Sequence, residues 1–194
     1  VEGLRNVLDV AVQAKLDRFV FLSTIGTIAV GRNGETVDER TPFNWADQGG
    51  GYIASRREAE RLVLSYVADR GLPAVVTNVS NPYGPPDWQP RQGLLVQSAA
   101  LGRMPAYARG VGSEVVGIED AARGMLLAAE RGRIGERYII SERYMSQREM
   151  LTVAAEAVGA RPPRIGVPMG LLHVVGHVVG IVGALLRRDF VFTA

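Results

Sequence analysis

A tyrosine and an arginine four residues apart, Tyr52 and Arg56, are the residues of this chain whose types and spacing best fit catalysis. Glycines precede them and an amphipathic run follows, which predicts a helix that ends at Arg70-Gly71-Leu72-Pro73, because Gly and Pro stop helices. On a helix the two side chains share one face. A cation beside a phenol favours the phenolate, the form that accepts a proton in acid/base catalysis. The alternative is a core tyrosine and a surface arginine at chance spacing.

Two short apolar runs on either side of this helix predict buried parallel strands. The first is Arg18–Leu22, and the second is Ala74–Val79; small polar residues follow each of them. Strand, helix and strand in this order predict an α/β fold. Ligands of parallel sheets bind beyond the carboxyl ends of the strands. The crevice at that edge would therefore be faced by Thr24, Tyr52 and Asn81.

Six further segments resemble, in family order, motifs of the extended short-chain dehydrogenases/reductases, which include the NAD-dependent sugar-nucleotide epimerases and dehydratases. These segments are 1–9, 22–24, 37–42, 81–85, 115–122 and 135–140. The resemblance implies the C-terminal part of a Rossmann-like doubly wound parallel sheet and a small, mostly helical substrate-binding region. The NAD(P)-binding part would comprise 1–90 and 115–142, and the substrate-binding region 91–114 and 143–194.

The same resemblance implies roles for individual residues. Tyr52 would be the acid/base, Thr24 would orient the reacting hydroxyl or carbonyl, and Arg56 would bind the nicotinamide ribose. The residues implied to contact the cofactor, NAD or NADP, are Ser23, Tyr52, Arg56, Val79 and Ser80, and those implied to contact substrate are Thr24 and Asn81. The implied activity is that of an NAD(P)-dependent oxidoreductase for a small, apolar substrate that is steroid-, flavonol- or lipid-like. The alternatives are a sugar-nucleotide epimerase or dehydratase, and a non-catalytic dinucleotide-sensing or scaffolding protein.

The chain departs from the family pattern in two places. The family has Lys where Arg56 stands; arginine keeps the charge and the donors but cannot lose a proton, so a proton relay through the ribose is in question. The Gly-rich turn that holds the pyrophosphate is not found, and Val1 lies inside a helical pattern. We therefore expect an internal piece of a longer protein. The residues that choose NAD over NADP would lie upstream.

Composition and charge limit the partners. The net charge of +2 comes from interspersed Arg, Glu and Asp, so the sequence predicts no nucleic-acid binding. No cysteine is present, and His173 and His177 have no acidic partner nearby, so we expect no metal. A small-molecule substrate and a cytoplasmic location are expected, and the resemblance leaves a homodimer open.

The apolar segment 167–186 has two interpretations. Its length approaches the ~20 residues that span a bilayer, but one proline, two histidines and four glycines lower its hydrophobicity and helix propensity. The preferred interpretation is a helix of the substrate region over an apolar pocket. The alternative is an anchor that lies on the membrane surface or inserts into the membrane, which would suit a lipid- or steroid-like substrate.

Overall fold

The computed structural model describes residues 1–32, 34–85 and 93–172. The chain divides into two compact units, of which the first comprises Val1–Pro85 and Glu114–Arg143 and the second contains the remaining described residues. The assignment of cofactor and substrate roles to these units stays a prediction.

The first unit is built on a parallel sheet with the strand order β1–β2–β6. Its elements are α1 (Glu2–Gln13), β1 (Phe19–Thr24), α2 (Gly50–Arg70), β2 (Ala74–Val79), β3 (Asn81–Tyr83), α4 (Ile118–Arg131) and β6 (Arg137–Ile140). The central strand β2 is buried at every position, as its continuous apolar run predicts. Thr24 pairs with Val79 and Val79 pairs with Ile140, so the carboxyl ends of the three strands lie side by side.

Helices α1 and α2 pack on this sheet through one apolar cluster. Leu8 of α1, Val63 and Tyr66 of α2 and Val76 of β2 are all buried within it. The predicted helix stop is confirmed, because Gly71 takes the left-handed conformation with φ of 65°, which glycine adopts without steric cost.

A second sheet has the order β3–β5–β7, where β5 is Gly112–Gly117 and β7 is Arg143–Ser146. Asn81 of β3 pairs in parallel with Val115 of β5. Helix α4 begins at Ile118, with Gly117 as its N-cap. Glu119 and Asp120 therefore lie in the first helical turn and are not caps, but acids there still suit the positive end of the helix.

The second unit contains α3 (Gly93–Ala100), α5 (Gln147–Glu156) and a parallel pair of short strands, β4 (Ala106–Ala108) and β8 (Ile165–Val167). Ser146 caps α5, accepting a hydrogen bond from the backbone amide of Glu149 at 3.2 Å. In the part of the chain that the structure describes, no helix is long and apolar enough to cross a membrane. Most of the segment 167–186 lies outside the described residues.

Candidate active site

Tyr52 and Arg56 lie on the first two turns of α2 and share one face of it. The Arg56 guanidinium carbon is 5.7 Å from the centroid of the Tyr52 ring. Tyr52 is 61% exposed, whereas Arg56 is half-buried and its Nε atom is fully buried. A core tyrosine with a surface arginine would show the opposite pattern, so that alternative is wrong.

The adjacent Arg57 has a different role. Its guanidinium carbon lies 3.6 Å from the centroid of the Phe43 ring, a stacked cation–π contact. Burial lowers the pKa of Arg57 from its ordinary value, although an arginine keeps its charge at neutral pH. Of the two neighbouring cations, Arg56 is therefore the one placed beside the Tyr52 ring.

Thr24 ends β1 and shapes the turn that follows. Its Oγ1 accepts a hydrogen bond of 3.2 Å from the Gly26 amide and so caps a short 3₁₀ turn, Ile25–Thr27. Ser23, one residue earlier, is buried, and its hydroxyl donates to Glu60 Oε2 at 2.7 Å. The structure thus directs the Ser23 side chain to Glu60, and a contact of Ser23 with a cofactor stays a prediction.

Val79, Ser80 and Asn81 continue from the carboxyl end of β2, next to the end of β1. Val79 and Ser80 are buried, and the Ser80 amide donates to the Ile140 carbonyl at 2.9 Å. The Asn81 amide nitrogen donates to the Glu114 carbonyl at 3.2 Å, which fixes the start of β3. Thr24 and Val79 are partners in the sheet register. The structure therefore brings these predicted positions to one edge of the sheet.

Gly26 lets the first turn of α2 approach the turn after Thr24, and Gly49, the N-cap of α2, leaves room for Ile53 of its own helix. A Cβ atom on Gly26 would lie 2.5 Å from Ile53 Cδ1, and one on Gly49 would lie 2.9 Å from Ile53 Cβ. Ile53 is buried and follows Tyr52 directly. The close packing of Ile53 on Gly26 thus sets where Tyr52 stands relative to the end of β1.

This packing predicts opposite effects for two glycine substitutions in the same region. Gly26→Ala should reduce the free energy of unfolding by about 1–3 kcal/mol, because the new methyl group overpacks against Ile53. Gly51→Ala should instead stabilise the protein by about 0.4–1 kcal/mol, since Gly51 is in α2 and nothing lies within 4 Å of its added Cβ. Chemical denaturation of both variants measures the difference. Equal stabilities would contradict the proposed role of the Gly26–Ile53 contact.

A second tyrosine, Tyr83, lies two residues after Asn81 but suits base catalysis less well than Tyr52. Tyr83 ends β3, and burial raises the pKa of its hydroxyl above the usual value of 10.0. A higher pKa leaves less of the phenolate, which is the form that accepts a proton, at neutral pH. The exposed Tyr52 therefore remains the candidate acid/base.

Sequence reasoning missed Glu60, which lies on α2 two turns beyond Tyr52. Its buried carboxylate is the common acceptor for side chains from β1, β2 and β6. One signal was present in the sequence. Glu60 falls within the apolar stripe of the predicted helix, between Ala59 and Val63, where a charged residue needs a partner.

The site offers polar atoms that fit a ligand rich in hydrogen-bonding groups. Within the described residues, three buried side-chain atoms have no hydrogen-bond partner: Arg56 Nε, Ser80 Oγ and Asn78 Oδ1. An unpaired buried polar atom costs about 1–3 kcal/mol. Two of the three belong to Arg56 and Ser80, for which the family resemblance implies a place at the nicotinamide end of a dinucleotide, so the residues present fit that group.

No cluster of three metal-ligating side chains occurs among residues 1–32, 34–85 and 93–172. His173 and His177 lie outside these ranges.

A parallel sheet, a hydroxyl residue at the end of one strand and a Tyr/basic pair on the following helix define the short-chain dehydrogenase/reductase class. The model of the NAD dependent epimerase/dehydratase family matches residues 1–141. The chain therefore belongs to this family of enzymes, within the extended short-chain dehydrogenases/reductases.

Individual relatives span several activities. A protein of Synechocystis sp. assigned as a dihydroflavonol 4-reductase is 32% identical over 176 residues, which cover 88% of this chain and 51% of that protein. The crystal structure of the protein gox2253 superposes with a TM-score of 0.83 at 30% identity and covers 97% of this chain and 57% of that one. The Thermus thermophilus UDP-glucose 4-epimerase, solved with NAD, gives a TM-score of 0.70 at 25% identity, with 86% and 56% covered. The chain spans about half the length of the curated relatives it matches.

Proposed function

We propose that the full-length protein is an NAD(P)-dependent oxidoreductase that acts on the hydroxyl or carbonyl of a small, apolar substrate. The observation that carries the proposal is the placement of the half-buried Arg56 beside the exposed Tyr52, at the edge where β1 and β2 end. Such an exposed phenol next to a fixed cation can exchange a proton with a bound substrate.

Each residue of the site would have its own role in catalysis or binding. Tyr52 gives or accepts the proton of the substrate oxygen, and Thr24 orients that oxygen through its hydroxyl. Arg56 and Ser80 bind the nicotinamide end through the buried Nε and Oγ atoms. The nicotinamide, when bound, supplies the two-electron oxidation or reduction. Val79 borders it, and Asn81 contacts the substrate.

The apolar class of substrate is supported by the match to the protein assigned as a dihydroflavonol 4-reductase. The alternative, a sugar-nucleotide epimerase or dehydratase, is supported by the likeness to the UDP-glucose 4-epimerase. The oxidoreductase and the epimerase or dehydratase would use the same Tyr-based proton transfer, so the catalytic residues do not distinguish between these two functions. A third alternative is a dinucleotide-sensing protein without turnover, which the replacement of the family Lys by Arg56 would suit.

One experiment separates these three functions. The full-length gene product is titrated with NADH and NADPH, then mixed with dihydroquercetin, a 3β-hydroxysteroid or UDP-glucose. Turnover of an apolar compound, seen as a change in nicotinamide absorbance, supports the proposal. Conversion of UDP-glucose, followed by chromatography, supports the epimerase instead. Binding of a cofactor with no turnover supports the sensor, and no binding of either cofactor contradicts all three.

Lipid association and a homodimer also stay proposals. If the segment 167–186 anchors the protein, the full-length gene product should float with liposomes, and deletion of the segment should abolish flotation. A protein that stays wholly in the soluble fraction would leave the segment as part of the substrate region.

A further inference from the structure

Glu60 is a buried carboxylate that the proposed chemistry does not use. It lies on α2, one turn beyond Arg56 and two turns beyond Tyr52, and is 5% exposed. Glutamate is rarely buried to this extent unless it is paired, because an isolated buried carboxylate is costly.

The Glu60 carboxylate is surrounded by side-chain donors. Its Oε2 lies 2.7 Å from Ser23 Oγ, 2.9 Å from Thr27 Oγ1 and 3.0 Å from Asn78 Nδ2. Its Oε1 accepts a hydrogen bond of 3.1 Å from Arg137 Nη1, in an ion pair. These donors come from β1, the turn after it, β2 and β6, so one carboxylate links α2 to all three strands of the sheet.

The same donors lie next to the residues of the candidate site. Ser23 precedes Thr24, and Asn78 precedes Val79. The single Thr27 hydroxyl proton is shared between Glu60 Oε2 and the Thr24 carbonyl, which lies 2.8 Å away, and the Asn78 amide reaches the same carbonyl at 3.3 Å. The position of Glu60 thus bears on both the strand end that carries Thr24 and the helix that carries Tyr52.

The opposite side of the cluster is held to the loop that precedes α2. Arg137 Nη2 donates to the Glu39 carbonyl, and Glu39 Oε1 accepts a hydrogen bond of 2.9 Å from the Ile139 amide. Glu39 lies in the loop before α2, so Arg137, the first residue of β6, connects this loop and Glu60 to the sheet.

We propose that Glu60 is a positioning residue, which fixes the register of α2 against the carboxyl ends of β1 and β2 and so sets the geometry of Thr24, Tyr52 and Arg56. This proposal rests on the function proposed above. An apolar side chain at position 60 would pack against the sheet equally well. It would not, however, hold the helix in place through directional hydrogen bonds from several donors. A misplacement of about 1 Å can cost about a hundredfold in rate, so such fixing matters for catalysis.

Glu60→Gln in the full-length gene product tests the proposal. Glutamine keeps the shape but turns one acceptor into a donor, which then faces either the Arg137 cation or the Ser23, Thr27 and Asn78 donors. Tyr66→Phe is the matched control on the same helix, because the Tyr66 hydroxyl donates to Asp9 Oδ1 at 2.8 Å, at the far end of α2. Thr27→Val is a milder second variant, which removes one donor to Glu60.

Three properties are measured well below the melting temperature. They are turnover per folded molecule, the NADH dissociation constant, and hydrogen exchange of the amides at 54–60 compared with those at 62–70. Glu60→Gln should lower turnover by about tenfold to a hundredfold and speed exchange at 54–60 far more than at 62–70. NADH affinity should stay within about threefold, because much of it comes from the pyrophosphate and adenine ends. Thr27→Val should show the same pattern to a smaller extent, and Tyr66→Phe should leave turnover unchanged.

Exchange that rises equally along α2 in Glu60→Gln and Tyr66→Phe would make Glu60 a stabilising residue only and overturn the proposal. Unchanged exchange at 54–60 in Glu60→Gln would overturn it as well. The exchange measurement needs no ligand, so it decides the role of Glu60 even if the wild-type protein turns over none of the compounds. Failure of the proposed function would show instead as absent cofactor binding or as an active Tyr52→Phe variant.

Discussion

Replacing Tyr52 with Phe in the full-length gene product is expected to abolish turnover while the protein stays folded. The hydroxyl is the group that would move the proton, and general acid/base catalysis contributes about 10²- to 10⁴-fold to the rate. The ring stays in place, and Tyr52 is exposed, so the loss of the hydroxyl leaves no buried partner unpaired. The measurement is turnover of the substrate identified in the cofactor-coupled assay, together with a melting curve.

Tyr138→Phe is the matched control for that variant. The Tyr138 hydroxyl accepts a hydrogen bond of 2.7 Å from the Arg133 amide, between β6 and the end of α4. Its loss should lower stability and leave turnover unchanged. A Tyr52→Phe variant that keeps full activity would contradict the acid/base role, whatever the control does.

Removing the cation at position 56 is expected to weaken cofactor binding and to slow the reaction. Arg56→Ala removes both the charge beside the Tyr52 ring and the buried Nε donor. A hydrogen bond to a charged group contributes about 1.5–3 kcal/mol, so we expect the NADH dissociation constant to rise about tenfold to a hundredfold. Arg56→Lys should keep or raise turnover, because lysine restores the charge and can also pass on a proton.

Arg57→Ala provides the control for the loss of a neighbouring positive charge. Arg57 stacks on Phe43, so its removal should cost stability but not cofactor affinity. Calorimetry with NADH on the three variants gives the comparison. If Arg56→Ala and Arg57→Ala bind NADH equally well, Arg56 has no specific role in the site.

The elements that carry the site follow from local sequence patterns. The buried run Ala74–Val79 and the helix stop at Gly71 each depend on residues close together in the chain, and the structure confirms them. The shared face of Tyr52 and Arg56 is likewise a property of helical spacing. Interactions between residues close together in the sequence are enough to predict these features.

The interior of the site depends on contacts that no local pattern records. Ser23 and Glu60 are 37 residues apart, and Glu60 and Arg137 are 77 apart. The family resemblance implies a cofactor contact for Ser23, but the sequence could not show that the hydroxyl faces Glu60. The burial of Arg56 Nε is also a tertiary effect, because exposed and half-buried arginines look alike in a helical sequence pattern.

A crystal structure of the full-length gene product with NAD bound would decide whether Tyr52, Arg56 and Ser80 form the nicotinamide site. We expect the nicotinamide ribose to lie within hydrogen-bond distance of the Tyr52 hydroxyl and the Arg56 guanidinium, with Ser80 beside the nicotinamide. A nicotinamide bound elsewhere, with Arg56 and Ser80 making no contact to it, would contradict the assignment of this site.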